Sequence, residues 1–391
     1  MLKQLIYLDN SATTKPSPGV VKAMIECLTN IYGNPSSVHR LGVEAEKAVN
    51  TAREQVARIL KAGTKEIIFT SGGTEANNLA IKGAAYSYAN RGKHIITTQI
   101  EHPAVLKVCG QLELEGFEVT YLPVNNEGVL LPEDLHRALR EDTILISTMY
   151  VNNETGSIQP LEELSSIIKT VRNNNKLPIW HVDAVQALGK LPLNPEKLGV
   201  NLMSLSAHKA HGPKGIGALY LSAGTRLKIQ IDGGGQEFGL RGGTENVPAI
   251  AGFGVAVAEL EDSLNKNNEQ MAEMKKMLVE GILDSIPRCR LNGPMPGSKY
   301  SAPHIANISF IGLRGEVLLH ALEGEGIFVS TGSACSSRKK SDNGVLRAMG
   351  LSDVEQEGAI RFSFCAHNTP EQVGVVIDKL KEIVKELRSF G

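Results

Sequence analysis

Two apolar stretches, Ile179-Trp180-His181-Val182-Asp183 and Leu205-Ser206-Ala207-His208-Lys209, decide how this chain folds. Each is a short β-rich run that ends at a charged side chain. Similar runs alternate with helical patterns from about residue 65 to residue 221. This alternation predicts a mostly parallel sheet covered by helices. Its seven predicted strands lie at residues 66–70, 94–99, 118–123, 143–150, 178–182, 202–206 and 217–221.

The polar residues that could carry chemistry follow these strands. In sheets of this kind, ligands bind at the carboxyl ends of the strands. The residues in question are 72–74, His102, Asn153, Asp183 and Lys209. We therefore expect them to meet at one edge of the sheet.

Lys209 and Asp183 suit one kind of cofactor. A lysine amine can hold an aldehyde as a Schiff base, and an aspartate can keep a pyridine nitrogen protonated, which makes the ring an electron sink. The pair therefore predicts a pyridoxal 5'-phosphate site. Because a lysine after a strand is common, this prediction depends on the other residues of the site.

The stretch Thr70-Ser71-Gly72-Gly73-Thr74-Glu75 follows a strand and opens a helix. Free N–H groups at the helix start and the Thr74 hydroxyl favour a phosphate group there. The same stretch is also compatible with a simple turn. The pattern G-x-x-x-x-G-K-[ST] is absent, which argues against a P-loop nucleoside triphosphatase.

Three further polar residues lie near the predicted edge. His102 could stack on a flat ring and carry protons, or it could only cap the next helix. Asn153 lies in a polar turn and could donate to a ring substituent. Gln186 follows Asp183 by three residues, and we expect it on the same helical face.

Cys335 and Arg361 stand out from their surroundings. Cys335 lies among small polar residues, with three basic residues directly after Ser337. Nearby cations favour the thiolate, which is the nucleophilic form, although an exposed cysteine can also be inert. Arg361 interrupts an apolar strand pattern, and an arginine there needs a carboxylate from the substrate or from the protein.

The composition excludes several classes of protein. The formal net charge of −1 argues against a nucleic-acid or membrane surface as the main partner. We expect no targeting segment and no membrane span. Five scattered cysteines without a C-x-x-C pair indicate a reducing cytoplasm rather than a disulfide framework or a zinc site. His208 and His211 lack the further ligands of a metal site, so no metal is expected.

The chain divides into two predicted units. Residues 15–250 form the large cofactor-binding domain, while residues 1–14 and 251–391 form a small α/β domain that includes the N-terminal segment. A long helix is predicted at 249–286, with Met271 and Met274 on its core face. Strands near 305–311, 327–330 and 360–364 and a helix at 370–387 complete the small domain.

Taken together, these motifs resemble the cysteine desulfurases, a class V branch of the fold-type I pyridoxal-phosphate transferases. The resemblance runs nearly end to end and implies their fold, a large α/β domain with a seven-stranded sheet and a small α/β domain. The matching segments are residues 7–14, 33–39, 70–77, 101–102, 152–156, 181–186, 206–215 and 234–247, followed by Cys335 and Arg361.

The resemblance also implies a role for each matching residue. Lys209 would bond to the cofactor and act as a base, and Arg361 would hold the substrate carboxylate together with Asn153. Thr244 would reach the phosphate of the neighbouring subunit's cofactor, which implies a homodimer. Further cofactor contacts would come from Asp183 at the pyridinium nitrogen, Gln186 at the ring phenolate, His102 at the ring face, Asn153, and Gly73, Thr74, Ser206 and His208 at the phosphate.

The implied reaction is the removal of sulfur from L-cysteine. Cys335 would take up the sulfur as a persulfide, L-alanine would leave, and His102 would carry a proton. The sulfur acceptor would be an iron–sulfur scaffold protein or a sulfurtransferase of tRNA thiolation, without direct contact to nucleic acid. Two alternatives stay open: a selenocysteine lyase or other aminotransferase-like enzyme, and a non-catalytic sulfur carrier with a vestigial site.

Overall fold

The computed structural model describes residues 5–172, 177–331 and 344–389. Its strands are β1 Ile6–Tyr7, β2 Ile67–Thr70, β3 His94–Thr98, β4 Glu118–Leu122, β5 Thr143–Met149, β6 Ile179–Asp183, β7 Leu202–Ser206, β8 Gly217–Leu221, β9 Cys289–Leu291, β10 Ile305–Phe310, β11 Ile327–Phe328 and β12 Ala359–Ser363. Its helices are α1 Pro18–Thr29, α2 Arg40–Leu60, α3 Gly73–Tyr88, α4 Pro103–Leu114, α5 Pro132–Ala138, α6 Leu161–Arg172, α7 Pro195–Leu198, α8 Val247–Ser285, α9 Gly315–Gly324, α10 Gly344–Ala348, α11 Asp353–Glu357 and α12 Pro370–Ser389.

The seven predicted strands of the large sheet are confirmed, and they lie in the order β2-β8-β7-β6-β5-β3-β4. The neighbours from β7 to β4 are parallel, whereas β8 is antiparallel to both β7 and β2. Strand β4 lies on one side of β3, and strands β5 to β8 follow on its other side. Because the direction in which the chain adds strands reverses at β3, helices cover both faces of the sheet. The sheet is therefore mostly parallel, and its carboxyl edge is the expected position of a site.

Both faces of this sheet are apolar. Along β6, Ile179 belongs to one buried cluster, whereas Trp180 and Val182 belong to the cluster on the opposite face. Because successive side chains of a strand point to opposite faces, Asp183 shares a face with Ile179. This is the face that α3 covers, and the position places a carboxylate where helix and sheet edge meet.

A third apolar cluster unites the N-terminal segment with the C-terminal part of the chain. Leu8 lies in it, together with buried residues of β10, β12 and α12. Helix α8 has 39 residues and spans about 58 Å at 1.5 Å per residue. It contributes Phe253 to the core of the large sheet and the predicted core residue Met274 to this cluster. The proposed division at residues 14 and 250 stays a prediction.

The smaller sheets include two strands that the sequence did not reveal, β1 with two residues and β9 with three. Strand β10 pairs antiparallel with the predicted β12 and with β9, which has only three residues. A segment of three residues is too short for an alternating pattern to be recognised. In the described part of the chain, the helices are all too short or too polar to cross a bilayer.

Candidate active site at the carboxyl edge of the large sheet

Three of the predicted residues come together at the carboxyl edge. Asp183 ends β6, Lys209 follows β7, and His102 precedes α4. The positive charge of Lys209 and the negative charge of Asp183 both act on the His102 ring, the first lowering its pKa and the second raising it. These side chains are therefore close enough to share one site.

Asp183 is buried and fixed from two sides. Its Oδ2 accepts a hydrogen bond of 2.7 Å from Asn77 Nδ2 on α3, and its Oδ1 accepts one of 3.0 Å from the Val185 backbone N–H. Sequence reasoning did not assign a role to Asn77. Its position four residues after Gly73, one turn into α3, was the available indication. With both oxygens held, the carboxylate keeps one orientation at the strand end.

The N-terminal segment covers Lys209. The Lys209 Nζ donates to the backbone oxygens of Ser11 and Ala12, at 2.6 and 2.7 Å. Gln186 Nε2 donates to the same Ser11 oxygen at 3.0 Å, so Gln186 and Lys209 lie side by side. The expectation of a helix around Gln186 was wrong, because residues 184–190 form hydrogen-bonded turns.

His102 caps helix α4, and this leaves its other ring nitrogen for chemistry. Its Nδ1 accepts a hydrogen bond of 3.1 Å from the Ala104 N–H, and Pro103 occupies the first turn. Burial is the main cause that lowers the pKa of His102. We therefore assign a neutral ring with its proton on Nε2. The capping role is confirmed, while stacking on a cofactor ring stays a prediction.

Glu101, next to His102, is a buried carboxyl group that sequence reasoning passed over. Its Oε1 accepts hydrogen bonds of 2.8 Å from Thr98 Oγ1 and from the Met149 N–H. Burial raises its pKa to about 8, and the charge of Asp183 adds to the shift. Glu101 therefore connects the ends of β3 and β5 below the site and stays largely protonated at neutral pH.

The predicted phosphate residues form a narrow cradle at the start of α3. Gly72 has φ +151°, a conformation that favours glycine. A Cβ atom built on Gly73 would lie 2.8 Å from Val185 Cγ2 and 3.5 Å from Ser206 Cβ. Gly73 and Ser206 are thus direct neighbours, whereas Thr74 is exposed. The free N–H groups of a 16-residue helix point toward this cradle.

His208 lies beside the N-terminal segment and is half-buried. Its Nδ1 is 3.3 Å from Thr13 Oγ1. Burial lowers its pKa to about 4, and the charge of Lys209 adds to the shift. The ring is therefore neutral at pH 7 and keeps one N–H that can donate to an anion.

Thr244 lies in the Gly-rich segment between β8 and α8, beside the carboxyl end of β2. It is exposed and lines a cavity of about 180 Å³ with Ser71 and Arg241. Arg241 pairs with Glu75 of α3 at 2.9 Å. The segment that carries Thr244 is therefore attached to the helix that forms the cradle.

A buried ion pair also anchors this Gly-rich segment. Arg53 on α2 donates to both carboxylate oxygens of Glu237, at 2.7 and 2.8 Å. Glu237 has φ +49° and accepts a further hydrogen bond of 2.8 Å from the Phe69 N–H in β2. The pair fixes the segment against the large sheet.

We expect Arg53→Met to lower the free energy of unfolding by about 3–5 kcal/mol, because it leaves the Glu237 carboxylate buried without its partner. Arg58→Met on the same helix is the matched control. Arg58 pairs with Glu261 in an exposed position, where a pair contributes about 0–1 kcal/mol. Thermal unfolding of the two variants tests this difference, and equal losses would contradict it.

Arg361 is buried in β12 with its terminal nitrogens occupied. One Nη atom donates to Asp9 Oδ1 at 2.7 Å and the other to the Asn153 backbone oxygen at 3.0 Å. Its Nε is buried and, within the described residues, has no hydrogen-bond partner. The contact between Asn153 and Arg361 is therefore made by the Asn153 backbone oxygen. A carboxylate that binds Arg361 must share it with Asp9, which sequence reasoning did not identify.

Burial weakens the acidity of all four cysteines within the described ranges. It raises the pKa of Cys27 and Cys365, that of Cys289 to about 11 and that of Cys109 to about 12. Each of these thiols is therefore a poor nucleophile at neutral pH. Cys335 lies in residues 332–343, outside the part of the chain that the structure describes.

The segment before Cys335 starts next to Arg361. The Ser330 N–H donates to the Arg361 backbone oxygen at 3.1 Å, and the Arg361 N–H donates to the Ser330 oxygen at 2.7 Å. Cys335 follows Ser330 by five residues. Covalent geometry therefore limits the distance between their Cα atoms to roughly 18 Å.

Comparison with known proteins extends over nearly the whole chain. The model of the family described as Aminotransferase class-V matches residues 6–376. A cysteine desulfurase of Nostoc sp. (strain PCC 7120) is 47% identical over 388 residues, which are 99% of this chain and 94% of that protein.

Two solved structures share the fold. A NifS-like protein superposes with a TM-score of 0.91 at 41% identity, over 98% of this chain and 100% of its own. A structure of SspA in complex with cysteine superposes with a TM-score of 0.80 at 34% identity, over 93% of this chain and 100% of its own.

Proposed function

This chain belongs to the aminotransferase class-V family, among its cysteine desulfurases. On that premise we propose that it takes the sulfur from L-cysteine and releases L-alanine. The sulfur would remain on Cys335 as a persulfide. The observation that carries this proposal is the meeting of Lys209, Asp183 and His102 at one sheet edge. An amine, an oriented carboxylate and a neutral imidazole are the groups that such a reaction requires.

Pyridoxal 5'-phosphate fits the residues at this edge. Gly73 and Ser206 adjoin at the start of α3, where a Cβ atom would fill the cradle. When bound, the group supplies an aldehyde that bonds to amines and a ring that withdraws electrons from the substrate Cα. The residues that would hold it are Lys209, Asp183, Gln186, His102, Asn153, Gly73, Thr74, Ser206 and His208.

Two residues of the chain would move protons. Lys209 Nζ would take the proton from the substrate Cα, because it is the amine whose charge acts on His102 at this edge. His102 Nε2 would give a proton to the product, because its Nδ1 is engaged in the α4 cap.

Arg361 would bind the substrate carboxylate. Its guanidinium is buried and already shares charge with Asp9. A second carboxylate would meet the remaining donor sites, and the guanidinium fork favours such contacts. The substrate would then lie on the side of the site where Ser330 pairs with Arg361 and the segment toward Cys335 begins.

Cys335 would carry out the sulfur transfer. Its thiolate attacks the sulfur of the bound cysteine, so that an S–S bond forms and the substrate Cβ–S bond breaks. The electron pair of that bond stays with the carbon skeleton, which takes up protons and leaves as L-alanine. The high pKa of the four buried or half-buried thiols supports Cys335 as the nucleophile.

We further propose a homodimer and a protein as sulfur acceptor. In the dimer, Thr244 of the partner subunit would reach the phosphate, which agrees with its exposure on an anchored segment. The acceptor would be an iron–sulfur scaffold protein or a sulfurtransferase of tRNA thiolation, since both receive sulfur from a persulfide.

The decisive experiment measures products. The purified chain is supplied with pyridoxal phosphate, L-cysteine and a thiol reductant, and sulfide and L-alanine are quantified together. Equal amounts of both products are expected. Release of neither product, or of alanine without sulfide, would refute the proposed function.

We expect Arg361→Gln to raise KM for L-cysteine roughly 10- to 100-fold, because a charge-assisted hydrogen bond contributes about 1.5–3 kcal/mol. The same variant should not raise KM for cysteamine, which lacks the carboxylate. Arg290→Gln is the control for loss of an arginine, since Arg290 pairs with Glu355 elsewhere on the same small sheet. An equal change for both substrates would assign Arg361 a purely structural role.

A further inference from the structure

Two lysines are buried near the site without a carboxylate partner. The exposed fraction is 6% for Lys190 and 2% for Lys275, and neither forms an ion pair among the described residues. Lys190 Nζ donates to the Lys209 backbone oxygen, while Lys275 Nζ donates to Ser301 Oγ and the Ala302 oxygen. Buried charges are normally paired, and burial lowers the pKa of Lys190 to about 8 and that of Lys275 to about 7. Lys190 therefore stays largely an ammonium at neutral pH and is the main positive charge of this region.

His304 lies within the electrostatic influence of both lysines, and its ring has no hydrogen-bond partner in the described part of the chain. It is 1% exposed, and neither ring nitrogen has a hydrogen-bond partner within the described ranges. The charges of Lys190, Lys275 and Arg361 all act on this ring and add to the burial that lowers its pKa. The ring is therefore neutral and keeps one N–H that no protein atom accepts.

A small cavity adjoins both Lys190 and His304. The volume open to the centre of a water-sized sphere is about 20 Å³, slightly more than the roughly 10–15 Å³ that one water needs. None of the residues that line it is an acid. Its polar lining consists of Lys190, His304, His211, Cys365, Asn10, Thr14 and Asn267.

We propose that this cavity binds one small monovalent anion of the size of chloride, held by the Lys190 ammonium and the ring N–H of His304. The small volume favours a single-atom anion over phosphate, sulfate and carboxylates, which have several heavy atoms. The charge excludes a metal cation. Cys365 supplies no counter-charge, since burial raises the pKa of its thiol.

The anion would act on the segments that hold Lys209. Lys190 donates to the backbone oxygen of Lys209 itself. Asn10, which also lines the cavity, precedes Ser11, and the Ser11 oxygen accepts a hydrogen bond from Lys209 Nζ. Neutralising Lys190 would remove the cost of its burial. A bound halide should therefore stabilise the folded chain, and this effect is independent of turnover.

Bromide is the probe for the site. Crystals of the intact chain are grown without halide and soaked in sodium bromide, and anomalous scattering is recorded at the bromine edge. In parallel, the thermal midpoint is measured in sodium chloride against sodium gluconate at constant ionic strength. Gluconate is too large for the cavity. Lys190→Met is compared with Lys299→Met, whose lysine is exposed and paired with Glu163.

The proposal expects a bromide peak within contact distance of Lys190 and His304. It also expects a thermal midpoint that rises with chloride and saturates in the unmodified chain and in Lys299→Met, but not in Lys190→Met. A cavity without anomalous signal would overturn it, as would an equal chloride response in all three proteins. If Lys190→Met does not fold, the crystals of the unmodified chain decide alone.

Discussion

Replacing Lys209 with alanine is expected to reduce alanine and sulfide formation by more than about a thousandfold. Loss of one positioned proton-transfer group already costs roughly 10²–10⁴-fold, and Lys209 is proposed to hold the cofactor as well. The structure supports this expectation because the charges of Lys209 and Asp183 both act on the His102 ring. Product assays at saturating L-cysteine measure the effect.

A measurement of cofactor attachment, which does not require turnover, distinguishes the loss of the attachment site from a loss of folding. Borohydride reduction followed by peptide mass analysis should attach the cofactor to the Lys209 peptide of the unmodified chain only. Lys214→Ala is the matched control, because Lys214 is exposed on the same loop five residues later. Full activity of Lys209→Ala, or cofactor attached to another peptide, would show that the site is misassigned.

Replacing Cys335 with serine should abolish sulfide release and persulfide formation down to the assay background. The serine hydroxyl cannot replace a thiolate as the sulfur acceptor. L-cysteine should still bind to the variant, since Arg361 and Lys209 are unchanged, and its binding can be followed by visible absorbance. Mass spectrometry of the chain after exposure to L-cysteine checks for the added sulfur atom.

Cys289→Ser is the control for this experiment. Cys289 is half-buried, whereas the other cysteines in the described ranges are buried, and burial raises its pKa to about 11. The control should therefore retain full turnover. Full turnover of Cys335→Ser would favour an aminotransferase-like reaction instead, because such a reaction needs no thiol.

The fold was predictable from the sequence because its main elements are local. Most strands of the large sheet are short, largely apolar runs, and the observed β3, His94–Thr98, differs from the predicted 94–99 by one residue. The seven strands and the mostly parallel arrangement follow from the alternation with helices. Strands β1 and β9 and the turns after Asp183 escaped prediction, since all three are too short to show a period.

The site was predictable only in part. Asp183 and Lys209 could be recognised as candidate site residues because the carboxyl ends of parallel strands meet at one edge of the sheet. Their hydrogen-bond and ion-pair partners could not be recognised in this way. Asn77 contacts Asp183 from 106 positions away, and Asp9 contacts Arg361 from 352 positions away. Asparagine and aspartate are common in loops and helices, so nothing in the sequence marks these two.

The sequence by itself determined the class of fold, the edge at which polar groups collect, and the kinds of side chain available there. Only the tertiary structure decided that Asp9 shares Arg361, that backbone oxygens of the N-terminal segment hold Lys209, and that Lys190 and His304 face a small cavity without an acid. The physical reason is that secondary structure depends on neighbours a few positions apart. Hydrogen bonds, burial and charge in a site depend on which distant segments the packed core brings together.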